Sequence, residues 1–135
     1  MTDPLDKLGQ AAGGSVSPTW ESARTIAYNA LNEAHTRIYE TSQIDGSVVE
    51  DEKLVFLYVG TGHTAPCLVF QLSADGQQIE MAYGQTIRMP GASGGEGNPV
   101  LNAREVQGVW GFGQVNRDDV IEAVNIWADQ QKVFA

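Results

Sequence analysis

The chain has 135 residues, 42% of them hydrophobic and 19% charged, and 17 acidic against 8 basic side chains give it a net charge of -9. That is the size of one globular domain. Its longest apolar run, Leu54 to Val59, is far short of the roughly 20 residues of a membrane-spanning helix, and its few scattered Lys and Arg residues lack the clustering that binding a phosphate backbone needs.

Neither a membrane nor a nucleic acid is therefore expected as a partner. No basic, apolar and small-residue leader pattern opens the chain, so a cytoplasmic location is expected. Cys67 is the only cysteine, so no intrachain disulfide can form. Residues 1–16 mix small and polar types with Gly9, Gly13 and Gly14, too little apolar surface to offset the entropy of ordering them. They are expected to form a flexible tail, with residues 17–135 as a single α+β domain.

Ser17-Pro18-Thr19-Trp20-Glu21 opens the domain, with Ser17 as a helix cap, Pro18 at the first helical position and Glu21 at the positive end of the dipole. A helix is predicted from about Pro18 to about Thr41. At about 100° per residue, Trp20, Ala23, Ala27, Ala30, Leu31, Ala34 and Ile38 share one stripe. Tyr28, His35 and Tyr39 lie together along one flank of it.

Gly46 and the acidic run Glu50-Asp51-Glu52 read as the connection to Leu54–Val59, an apolar run with β-branched and aromatic members and therefore a strand. Cys67–Leu72 is the next strand. It ends in Ser73-Ala74-Asp75-Gly76, whose Asp-Gly pair signals a hairpin. Gln77, Ile79, Met81 and Tyr83 then alternate with Gln78, Glu80 and Ala82 as a half-buried strand. Ile87 and Met89 continue it to Pro90.

Residues 91–99, from Gly91 to Pro99, show no period and are expected to form an exposed loop, either a lid or a plain surface excursion. Glu105–Val115 reads as a last strand, weakened by Gly108, Gly111 and Gly113. Asn116 then caps a helix reaching about Gln131, with Val120, Ile121, Val124, Trp127 and Ala128 buried and Ile126 off that face. The predicted fold is an α+β domain with a four- to five-stranded antiparallel meander sheet and an N-terminal and a C-terminal helix packed on one face.

Two helices cover one face only. Regular pairing would put Val55, Leu57 and Val59, with Cys67 and Val69, on the other, and covering them calls for a homodimer or a strongly curved sheet.

The motifs offer little chemistry. Gly60-Thr61-Gly62-His63-Thr64-Ala65 has the spacing of a dinucleotide fingerprint, but the β-type run Cys67-Leu68-Val69-Phe70 follows where the mechanism needs a helix N-terminus. No nucleotide or other cofactor is expected. His63 and Cys67 stand roughly 13 Å apart in an extended strand, too far to act as a thiolate and imidazole pair. His35 and His63 with one cysteine form no ligand spacing, so no metal is expected.

Two functions of different class remain. The first is a protein-interaction module of inhibitor, immunity-like or accessory type, whose acidic surface attracts a basic protein partner; it involves no catalysis. The alternative is a small-molecule-binding protein or cofactor-free enzyme, with a pocket between the first helix and a curved sheet lined by Tyr28, His35, Tyr39 and Arg88.

Overall fold

The computed structural model describes residues 18–60, 63–90 and 96–131. A first helix, α1 (Trp20–Ser42), precedes the strands β1 (Gly46–Asp51), β2 (Leu54–Val59), β3 (Thr64–Leu72), β4 (Gln78–Pro90) and β5 (Glu96–Gly111). A single 3-10 turn at Phe112–Gln114 leads into α2 (Arg117–Gln130). The strands pair antiparallel in chain order, β1-β2-β3-β4-β5. This is the expected α+β meander with a helix from each end of the domain packed on it. Among the described residues no helix is long and apolar enough to cross a membrane.

The residues buried on α1 are Ala23, Ala27, Ala30, Leu31, Ala34 and Ile38, the predicted stripe except for its first member, Trp20, which is half-buried, and the alanines let the helix backbone approach its neighbours closely. Its cap is Thr19 rather than Ser17. The Thr19 hydroxyl accepts from the Ser22 amide at 3.2 Å, and the Ser22 hydroxyl accepts from the Thr19 amide at 3.0 Å, a reciprocal capping box. Side chains in the first two turns then fasten α1 to the β1–β2 turn. The Trp20 indole N–H donates to the Glu52 carbonyl at 2.8 Å, and Arg24 donates to the Asp51 carbonyl at 3.2 Å.

On α2 the Asn116 cap is observed, its side chain accepting from the Asp119 amide at 2.9 Å. Val120, Ala123, Val124, Trp127 and Ala128 are buried on this helix, and Ile126 is exposed.

Four stretches differ from the sequence reading, the first being β3, which begins at Thr64 rather than Cys67. Gly46–Asp51, read as a connection, is the edge strand β1, because β2 offers it a full ladder from Gly46 opposite Val59 to Asp51 opposite Leu54. Residues 96–99, read as part of a loop, belong to β5; their low β propensity is overridden by pairing with β4. That strand ends at Gly111, and Phe112–Gln114 turns into α2 instead of extending the strand to Val115. The remainder of the predicted loop, residues 91–95, and the predicted tail, residues 1–16, lie outside the described residues.

Cys67 and Val69 lie on the face away from the helices, as expected, but the faces of β2 are the reverse of the expected ones. Leu57 stands opposite Leu68, and Val55 opposite Phe70. These residues and Val59 join α1 and α2 in the main core, so Val55, Leu57 and Val59 face the helices. The other face carries Phe56, Tyr58, Ala65, Cys67, Val69 and Ala82, with Val49, Leu54 and Leu101 packed against them. Adjacent strand residues point to opposite faces, so one place in register decides this assignment. All six are buried within a single chain. The covering argument for a homodimer therefore loses its premise.

Glycine at 84 is required by close approach. A Cβ there would lie 2.4 Å from the Ala103 carbonyl oxygen, in a part of the β4–β5 ribbon that carries register shifts on either side and therefore bends sharply.

Candidate functional site

Three of the four predicted pocket residues share an edge of α1, and the fourth is on the other side of the sheet. Tyr28 is half-buried against the main core, Tyr39 is exposed, and His35 is half-buried with its Nε2 unpartnered. Arg88 instead lies over the Tyr58 ring, its guanidinium carbon 5.7 Å from the centroid, and its Nη2 donates to the Tyr58 hydroxyl at 3.4 Å. Tyr58 belongs to the cluster on the face away from the helices. The sheet thus separates Arg88 from His35.

Cys67 is fully buried in that cluster. Burial pushes its thiol up to about 12, against smaller opposing effects from Arg104 and the Gly84 amide, so almost no thiolate exists at neutral pH and the sulfur is not a nucleophile. His63 is exposed, and its carbonyl accepts from the Arg88 amide at 2.9 Å. Beyond Gly60 the next described element is β3, a strand where a phosphate-binding loop would require a helix. No group of three potential metal ligands occurs among the described residues.

The arrangement with recognisable binding chemistry lies where α2 meets the β4–β5 ribbon. Helices pack about 10 Å apart and strands about 4.8 Å apart, so two helices shade roughly four strands. The inner face of the fifth stays partly open. Met81 and Tyr83, two residues apart on β4, and Trp110 on β5 form a floor there, with Trp110 tilted against Phe70 at a centroid distance of 5.6 Å. Asp119, Glu122, Ala123 and Ile126, spaced i, i+3, i+4 and i+7, line the α2 side. The recess measures about 290 Å³.

Its electrostatics are one-sided. Asp119 accepts from the Asn116 side-chain amide at 2.9 Å, and among the described residues neither Asp119 nor Glu122 has a cation partner. Desolvation pushes the Tyr83 phenol above its ordinary range, so it stays neutral and presents an aromatic face.

No family model, characterised protein or solved structure matches the chain. The site is therefore read from its chemistry alone.

A second acidic recess, about 550 Å³ between the start of α1 and the β1–β2 turn, holds Glu21, Glu50, Asp51 and Glu52 together with Arg24 and Lys53. Arg24 pairs with Glu21 at 2.9 Å and with Glu50 at 3.1 Å, so this recess supplies its own cations. The groove at α2 does not. Sequence reasoning set Ile126 apart as off the buried face, but it did not join it to Met81, Tyr83 and Trp110. The i, i+3, i+4, i+7 spacing from Asp119 to Ile126 was the available signal.

Proposed function

We propose that the chain is a protein-interaction module, of inhibitor, immunity-like or accessory type, that binds a basic protein partner and catalyses no reaction. The observation that carries this reading is how the arginines are used. Arg24 is paired with Glu21 and Glu50, Arg37 with Glu33, and Arg117 with Glu33 and Asp118. These cations neutralise carboxylates of the same chain, and the excess behind the net charge of -9 faces outward. Such a field speeds association with a positively charged surface and disfavours acidic partners.

Surfaces left for self-association include the flank around the exposed Ile126 and the edge strand β5, whose Val106 and Val109 are exposed, since Val55 and Leu57 are committed to the core.

Affinity capture followed by calorimetry with the purified partner tests the reading. A partner of high pI is expected, with affinity falling as salt rises. An acidic partner, or binding insensitive to salt, would refute it.

A further inference from the structure

We infer that the groove between α2 and the β4–β5 ribbon is an arginine-binding site, taking a guanidinium side chain presented by a basic protein partner. The inference rests on the reading of the chain as a binding module for basic proteins, and it names the place of contact and the residue type recognised.

Charge complementarity identifies the occupant. Asp119 and Glu122 stand on one wall without a cation among the described residues, whereas the acidic recess at the β1–β2 turn already contains Arg24 and Lys53. A ligand of the α2 groove must bring its own positive charge. The floor then selects the kind of cation. Trp110 and Tyr83 present aromatic surface, which attracts a cation and stacks best against a flat one.

Guanidinium is planar, more weakly hydrated than ammonium, and able to meet carboxylates with paired N–H groups. Ile126, 48% exposed, lines the same recess and offers apolar surface to the aliphatic stem of an arginine. A compact ammonium would gain the charge but little of the stacking. The small recess, about 290 Å³, suits a single long side chain rather than a whole helix.

The test titrates the full chain at low salt with a short capped peptide carrying spaced arginines, and with the same peptide carrying citrulline or lysine instead. Citrulline keeps the shape and removes the charge. The arginine peptide is expected to bind and to shift the Trp110 indole N–H resonance, lysine to bind more weakly, and citrulline not at all. Glu122→Gln should weaken the arginine peptide by about tenfold with no change in melting temperature, since the Glu122 side chain has no bonding partner among the described residues. Glu52→Gln, in the other recess, should leave affinity within about twofold. Arginine-peptide binding that is unaffected by Glu122→Gln, equally reduced by Glu52→Gln, or matched by citrulline overturns the groove assignment while leaving an acidic binding module in place. Absence of binding to any basic peptide overturns both.

Discussion

Replacing Gly76 isolates the backbone cost of the β3–β4 turn. Gly76 has φ of 74°, the left-handed region, and an added Cβ would meet nothing within 4 Å. Steric contact therefore contributes nothing, and the whole effect is conformational. The rest of the turn is untouched by the change: the Gly76 amide still donates to the Ser73 carbonyl at 2.9 Å, and Asp75 still accepts from the Ser73 hydroxyl at 2.6 Å and the Gln77 amide at 3.0 Å.

Holding an L-residue in this region costs about 1–2 kcal/mol, and the smaller entropy of the unfolded chain returns about 0.4–1 kcal/mol. Gly76→Ala should thus lose about 1 kcal/mol, which at this chain size lowers the melting temperature by about 4 °C. Gly76→Val, β-branched, should lose more, and Gly76→Asn should lose least because asparagine tolerates the left-handed region. Thermal unfolding followed by circular dichroism measures all three. Equal melting temperatures for valine and asparagine would refute the argument, since strain in the left-handed region should separate the two.

Leu57→Lys should cost more than about 4 kcal/mol, because Leu57 is 0% exposed in the helix-side core; denaturant unfolding reads this, and a loss below about 1 kcal/mol would contradict its burial. The Arg117 hydrogen bond, with Arg37 beside it, holds the Glu33 carboxyl below its ordinary 4.5. Its contribution is present above that value and lost as pH falls through the folded value, so Glu33→Gln should lower the melting temperature at pH 7, by an amount that shrinks as the pH is taken down through the folded value. Cys67 should resist a thiol reagent at pH 8 in the native protein and react at once in denaturant; rapid native labelling would contradict its burial.

The helices were legible because each carries its own evidence: the alanine stripe of α1 and the Asn116 cap of α2 are local patterns. The β3–β4 hairpin was legible for the same reason, since Asp75-Gly76 specifies its turn. β1 was not, because Gly46, Ser47, Glu50 and Asp51 have the composition of a linker and become a strand only through the partner β2 supplies. The faces of β2 were missed for want of register: Phe56 and Leu57 are equally apolar, and only the pairing of Leu57 with Leu68 shows which meets the helices. The α2 groove combines both cases. Its helical wall could be read at helical spacing, whereas its floor joins residues of β4 and β5 that only the β4–β5 ladder and the docking of α2 bring beside it.

Because each strand finds its partner in the adjacent stretch of chain, the sheet can assemble as a series of hairpins, each closing a short loop at small entropic cost. Distant parts of the sequence meet chiefly where α1 lies along α2, and there Arg117 bonds to Glu33 across 84 residues. Docking of α2 is thus the expensive closure on the folding path. Its reversal would bare the buried Val120, Val124 and Trp127 and uncover the aromatic floor of the groove while the hairpins remain zipped.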